Sequence, residues 1–299
     1  MSDHLVNSNA NYFAMRVTFI IPAYNSELYI ENCINTIRAV GDFKIIVVDD
    51  GSTDRTSAVS ESLGVDVIRK KNGGAYQARA IGLESVHTDY VYFLDSDDKV
   101  LPGFVNAIEL LDRNLDYGCY LGSHVSVGSG LERIQSQVTG KLTALRLINC
   151  HYGFGPISAS LWRTRDAKKI INRTPEALSL SRGDDYEMFI RCSLISKILC
   201  GDILMAKYSL PGGKSTKNLA LSLQCTIEIA SYYAKNFEVK YYPVPLFVQN
   251  SILTFRHLQV LFYDKGIYKF VISLFSNPSS IIQYFIAKTF FMNRSRRFK

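Results

Sequence analysis

The chain has 299 residues, 47% of them hydrophobic and 12% aromatic, which is enough apolar material for a full core and too much for a minimal binding module. Its formal charge of +7 is uneven: 13 of the 34 Lys and Arg residues but only four of the 27 Asp and Glu residues follow residue 200, so the basic character belongs to the last third. Six scattered cysteines without a Cys-x-x-Cys pair argue against a disulfide framework or a zinc module and for reduced thiols in a cytoplasmic protein.

Residues 1–15 are polar overall, lack the basic start and apolar core of a secretion signal, and read as a flexible leader. Short β-rich runs then alternate with stretches of helical period, the pattern of a mostly parallel α/β sheet. Residues 17–21 (VTFII) and 44–48 (KIIVV) read as strands covered on both faces. A helix over 27–38 is capped near Asn25 or Ser26, and another, capped by Ser52 or Thr53, runs to about Leu63. Residues 65–69 form a strand, 75–86 a helix and 90–94 (YVYFL) a central strand, followed by a helix over 102–111. Past residue 115 the pattern loosens, with strands at 117–122, 124–127 and 160–162 and a Gly- and Pro-containing stretch at 152–158. Residues 116–218 read as an acceptor-facing half, distinct from the donor-binding half at 16–115. Residues 219–299 read as a helical, then basic and aromatic, C-terminal region.

The informative polar residues follow the C-terminal ends of the strands, the edge where open α/β sheets bind ligands. Asp95, Asp97 and Asp98 place three carboxylates within four residues (DSDD) after a buried strand. Such a cluster repels itself unless a hard cation joins it, and one or two carboxylates plus substrate phosphates suit Mg²⁺ or Mn²⁺. A solvated turn capping the next helix stays open as the other reading. The second acidic loop, 49–54 (DDGSTD), has the chemistry of a βα turn. Between the two lies 70–74 (KKNGG), where glycines permit close approach to a phosphate and Lys70, Lys71 or Arg79 supply positive charge. No GxGxxG or Walker sequence is present, which disfavours a dinucleotide fold or a P-loop. Far downstream, 183–187 (GDDYE) opens a helix; its acids either complement the helix dipole or supply a general base.

Taken together, residues 17–25 (VTFIIPAYN), 47–54 (VVDDGSTD), 72–83 (NGGAYQARAIGL), 90–98 (YVYFLDSDD) and 183–191 (GDDYEMFIR) resemble the family 2 glycosyltransferases. The resemblance covers roughly residues 16–200 and implies a GT-A fold: a Rossmann-like, mixed but mostly parallel sheet flanked by helices. It implies an inverting transfer from a nucleotide diphosphate-sugar, usually a UDP-sugar, to an acceptor hydroxyl, with a divalent cation at a DxD-type motif. By that resemblance Pro22, Ala23, Tyr24 and Asp50 line the nucleobase and ribose pocket with Asn72, Gly74 and Arg79 nearby. Asp95 and Ser96 face the donor, Asp97 helped by Asp98 holds Mg²⁺ or Mn²⁺, and Asp185 is the base. Asp184 stands where relatives carry Glu, and Lys214 near where many carry a histidine; with Trp162 they are the acceptor-side candidates. The implied class is a hexosyl- or N-acetylhexosaminyltransferase of bacterial surface polysaccharide, lipopolysaccharide or capsule synthesis, with a glycan or lipid-linked glycan as acceptor.

Residues 241–299 combine Phe, Tyr and Ile with Lys and Arg, which suits an anionic membrane surface better than nucleic acid. The uncharged run 270–287 is broken by SNPSS at 276–280 and does not read as a membrane span. The expected location is therefore cytoplasmic, peripheral on the inner face of the membrane. A nucleotide-sugar-binding subunit without activity is the main competing reading, against which intact Asp97, Asp98 and Asp185 argue. A nucleotidyltransferase is another, and the missing triphosphate loop near the N-terminus speaks against it.

Overall fold

The computed structural model describes residues 12–128, 131–137, 139–149, 155–172, 183–209 and 219–237; Lys214 and residues 241–299 lie outside the described residues. In chain order the elements are β1 (Val17–Ala23), α1 (Ile30–Arg38), β2 (Lys44–Asp49), α2 (Thr56–Ser62), β3 (Asp66–Arg69), α3 (Ala75–Glu84), β4 (Tyr90–Phe93), β5 (Lys99–Val100) and α4 (Phe104–Arg113). They continue with β6 (Tyr117–Gly128), β7 (Leu131–Gln135), β8 (Gly140–Leu142), α5 (Ala144–Asn149), β9 (Ser160–Arg163), α6 (Thr164–Ile171), α7 (Asp184–Ile195), β10 (Lys197–Ser209) and α8 (Leu219–Asn236). One sheet runs in the order β3-β2-β1-β4-β9-β6-β10-β5, with β7 added to β6 and β8 to β10. The first four strands are parallel, β9 enters antiparallel between β4 and β6, and β10 is again parallel to β6.

Alternate residues of the central strands point into two cores. On one face Ile20, Ile46, Val48, Val91 and Phe93 pack with Ala78 and Leu83 of α3, Ala167 and Ile170 of α6, and Met188 and Phe189 of α7. On the other, Phe19, Ile21, Val47, Tyr90 and Tyr92 pack with Ile30, Cys33, Ile34 and Ile37 of α1 and Phe104, Ala107, Ile108 and Leu111 of α4. These helical positions recur at three- and four-residue spacing, so each helix turns one stripe to the sheet. Helix α3 comes especially close at Gly82, where a Cβ would stand 2.8 Å from Ile20 Cγ2 and 3.0 Å from Val48 Cγ2.

Several expected boundaries move for identifiable reasons. Helix α1 starts at Ile30 rather than 27, because the Ser26 and Glu27 amides donate to Thr56 Oγ1 (2.7 Å), at the start of α2, and to Asp54 Oδ2 (3.1 Å) in the loop before it. Asn25 does not cap it: at φ 51° its carboxamide oxygen accepts from the Thr53 amide at 2.8 Å. Asp54, not Ser52 or Thr53, accepts from the first amide of α2, that of Thr56, at 3.0 Å. The two strands expected at 117–122 and 124–127 are one, β6, whose irregularity is absorbed by register shifts against β10. The packed region also begins earlier than residue 16, since Phe13 and Ala14 are buried. It extends past residue 218 too, because Ile229, Ala230 and Tyr233 of α8 belong to the first core.

Candidate active site

Four loops at the C-terminal ends of the parallel strands are stitched together by hydrogen bonds. After β1, the Asn25 amide donates to Ser52 Oγ at 2.9 Å, and the Ala23 carbonyl accepts from the Asp50 amide at 2.8 Å. The Asp49 carboxylate is consumed by its own loop, accepting from the Ser52 amide at 2.8 Å and from the Ser57 hydroxyl. Gly51, at φ +79°, brings this loop so near the next that a Cβ would lie 2.8 Å from the Asn72 nitrogen, a site only glycine fits without strain.

The residues expected on the nucleobase side are brought together here. Pro22 and Ala23 are buried under the rim, and Tyr24 and Asn72 are exposed on it. Asp50, only 4% exposed, accepts from the Gly73 amide (2.9 Å), the Gly74 amide (2.7 Å) and the Lys70 ammonium. Lys70 is therefore committed to holding the 70–74 loop closed on Asp50 and does not stand free to meet a phosphate. Ser96, expected to face the donor, instead turns inward, its Oγ 2.8 Å from that of Ser26.

Arg79 joins the two acidic clusters. Carried by α3 and 3% exposed, its guanidinium donates to Asp95 Oδ1 at 2.6 Å and to an oxygen of Asp184. Burial alone would lower its pKa, but Asp95 and Asp184 hold it above the ordinary arginine value. Charge-assisted bonds of this kind orient as well as attract. One buried cation thus sets the loop after β4 against the first turn of α7, although 105 residues separate Arg79 from Asp184.

Asp185 occupies that first turn, following Gly183 at φ +88° and accepting from the Tyr186 amide at 2.7 Å. Burial, then the neighbouring Asp184 carboxylate, push its pKa up to about 6, against the pull of the Tyr186 amide and Arg79. A carboxylate near 6 is ionised at neutral pH yet basic enough to take a proton in a transition state.

Asp97 is likewise pushed up to about 6, by burial and then by Asp95. No other side chain among the described residues supplies a positive partner for it, so the donor set of Asp97 beside Asp95 suits a hard cation completed by substrate phosphates. Asp98, expected to help Asp97 hold the cation, is buried in the same loop. It is 1% exposed, its pKa is raised well above the carboxylate range by burial and its acidic neighbours, and its Oδ1 accepts from the Ser209 amide at 2.9 Å. It anchors the loop from below.

Two anchoring residues were invisible in the local sequence. Ser158 Oγ, fully buried, accepts from the Asp95 amide at 3.1 Å, and Ser209 Oγ donates to the Asp97 carbonyl at 2.7 Å. Both arrive from more than 60 residues away, so no local pattern marks them. Trp162 is a correction of the opposite kind: it is 0% exposed and stacked on Phe189 at 5.2 Å, a core residue rather than an acceptor-side one.

The clefts of about 570 Å³ and 520 Å³ open at the opposite rim, beside Arg16, Asp89, Arg163 and Lys168 and beside Asp116 and Lys197. Several of their cations are already engaged: Arg16 by Asp89 and Asp112, Arg163 by backbone carbonyls, and Lys197 by Asp116. They close that end of the sheet and border none of the acidic loops.

Residues 18–171 match the family model described as glycosyl transferase family 2. Among curated proteins, the uncharacterized glycosyltransferase EpsJ of Bacillus subtilis (strain 168) is 36% identical over 91 residues, 28% of this chain and 26% of that one. The poly(ribitol-phosphate) beta-N-acetylglucosaminyltransferase TarS of Staphylococcus aureus (strain Mu50) is 33% identical over 96 residues, 29% of this chain and 17% of that one. The chain therefore matches only a minor part of the length of these relatives. The crystal structure of S. aureus TarS 1–349 in complex with UDP-GlcNAc superposes with a TM-score of 0.59 at 21% identity, covering 94% of this chain and 82% of that one. The likeness in fold thus runs well beyond the matched sequence.

Proposed function

The chain belongs to glycosyl transferase family 2, and from that standing we propose that it is an inverting, cation-dependent transferase acting from a UDP-sugar onto the hydroxyl of a glycan acceptor. The observation that carries this reading is the Arg79 bridge: it holds the carboxylate of Asp95, next to the cation-type Asp97, against the helix end that bears Asp185. A donor-side cluster and the turn bearing a candidate base thereby meet on one buried guanidinium.

In this reading the 22–25, 50–54 and 70–74 loops bind the uridine, and Asp97 with Asp95 would hold Mg²⁺ or Mn²⁺. When bound, the cation supplies positive charge for the departing diphosphate. Asp185 accepts the proton of the acceptor hydroxyl as that oxygen bonds to the anomeric carbon and the carbon–oxygen bond to UDP breaks on the other face. A retaining double displacement needs a free carboxylate as nucleophile. Among the described residues the nearby Asp95 and Asp184 are both engaged by Arg79, which favours single displacement.

The names of relatives support a cell-surface polymer as acceptor, since one is a teichoic acid polymerase and another an N-acetylglucosaminyltransferase of poly(ribitol phosphate). A hexosyl or N-acetylhexosaminyl donor is the reading they favour. The basic, aromatic residues 241–299 suit the anionic inner surface of a membrane where such polymers are built; among the described residues no helix is long and apolar enough to cross one.

The test is UDP release from a panel of UDP-sugars, with and without glycan acceptors, in Mn²⁺, Mg²⁺ or EDTA. Release that needs both acceptor and cation is expected. Pyrophosphate as product would point to nucleotidyl transfer, and tight UDP-sugar binding without release to a binding subunit.

A further inference from the structure

Helix α8 lies outside the stretch matched by the family model, yet it touches the first turn of α7 at two points. The first is Gly183, the left-handed residue just before Asp184 and Asp185. A Cβ placed there would stand 2.9 Å from Ile229 Cδ1, so α8 lies directly behind the residue that aims the turn. The second is Glu187, whose amide makes the opening helical bond to the Gly183 carbonyl at 2.9 Å. Its side chain accepts from the Tyr233 hydroxyl at 2.6 Å, and that hydroxyl in turn accepts from Arg191 Nε at 2.6 Å. Arg191 also donates to Glu187 Oε1 at 3.2 Å and to the Ile170 carbonyl at 3.1 Å, which ties α7 to α6.

Glu187, Arg191 and Tyr233 are each 1% exposed. A buried ion pair is a poor source of net stability but demands that its remaining hydrogen-bonding positions be filled in one geometry. The Tyr233 hydroxyl fills one on each partner. Position, rather than stability alone, is what such an arrangement specifies, and the position specified is that of a helix turn two residues from Asp185.

The geometry points to α8 as a positioning element of the reaction: Tyr233, through Glu187, and Ile229, through Gly183, hold the turn that presents Asp185 to the acceptor. Neither side chain is a catalytic residue. The inference rests on Asp185 being the base. The donor loops have braces of their own in Ser26, Ser158 and Ser209, so loosening the turn reaches them only through the Arg79 bridge between Asp184 and Asp95. Misplacement of a reacting group by a fraction of a bond length is enough to slow a reaction by an order of magnitude or more.

The experiment uses the full chain and three variants: Tyr233→Phe, which keeps the ring in the core, Ile229→Ala, and Asp185→Asn. UDP with Mn²⁺ is the binding probe, and kcat is read on whichever UDP-sugar the unaltered chain cleaves fastest. Tyr233→Phe and Ile229→Ala are each expected to lower kcat about tenfold, with the UDP dissociation constant unchanged within twofold. A merely structural role would lower kcat only in proportion to lost folded protein, as read by UDP-binding stoichiometry, and that result overturns the inference, as does unchanged kcat in both variants. Full turnover by Asp185→Asn, or no UDP-sugar cleaved by the unaltered chain, overturns the reading of the site and this inference with it. An inactive Asp185→Asn beside fully active Tyr233→Phe and Ile229→Ala overturns this inference alone.

Discussion

Asp185 and Asp97 share a residue type and a pKa near 6, but their surroundings separate the tasks proposed for them. Asp185 sits at a helix N-terminus beside Arg79, where its charge is tolerated at neutral pH, and Asp97 lies next to Asp95 with no cationic partner among the described residues. Asp185→Asn keeps the shape and removes the proposed base, so kcat should fall by about 10²–10⁴-fold while UDP affinity changes little. Asp97→Ala should behave in the opposite way. Calorimetry should find UDP binding weakened in Mn²⁺ but unchanged in EDTA, and a variant that binds equally well in both would remove Asp97 from the cation site. The raised pKa of Asp185 also sets a sign. Below about pH 6 the carboxylate gains the proton it must be free to accept, so kcat should fall about tenfold per unit on the acid side and level off above pH 7. A profile flat from pH 5 to 8 would contradict this assignment.

Among the elements, those with a strong local pattern were the legible ones. The apolar runs of β1, β2 and β4 announce buried parallel strands, and the stripes of α1 and α4 announce helices on one face, because burial follows from the residues themselves. What local pattern could not supply was the partner in another loop. The late start of α1 depends on Thr56 and Asp54, the inward turn of Ser96 on Ser26, and the seating of the DSDD loop on Ser158 and Ser209. Trp162 misleads for the same reason, since a strand tryptophan looks alike whether it faces a cleft or, as here, Phe189. Gly82 is a test at this scale. Its place in α3 suggests a helix weakened by glycine, yet Ile20 and Val48 leave no room for a side chain. Gly82→Val should therefore destabilise the fold by about 1–3 kcal/mol in urea unfolding through overpacking. An Ala or Val variant more stable than the natural chain would mean that the helix stands farther from the sheet.

Across the whole molecule, the division expected at residue 218 separates pieces that share a core. Ile229, Ala230 and Tyr233 pack with Met188, Phe189 and Leu147, and Tyr233 also satisfies a buried ion pair. Burying one large apolar side chain contributes roughly 1.5–3 kcal/mol, so losing several of them approaches the roughly 5–15 kcal/mol that holds a domain together. A chain ending at residue 218 should consequently be insoluble or fail to bind UDP. A chain ending at residue 240 retains every described contact, and its UDP affinity and kcat on a soluble acceptor should match those of the full chain. The same truncation separates catalysis from location. If the basic and aromatic residues 241–299 seat the enzyme on anionic lipid, this shortened chain stays active but no longer co-sediments with vesicles containing phosphatidylglycerol, whereas the full chain sediments with them and is released by salt. Equal sedimentation of the two chains would place the lipid contact within residues 1–240. Loss of activity on truncation at 240 would mean that residues beyond α8 also support the turn carrying Asp185.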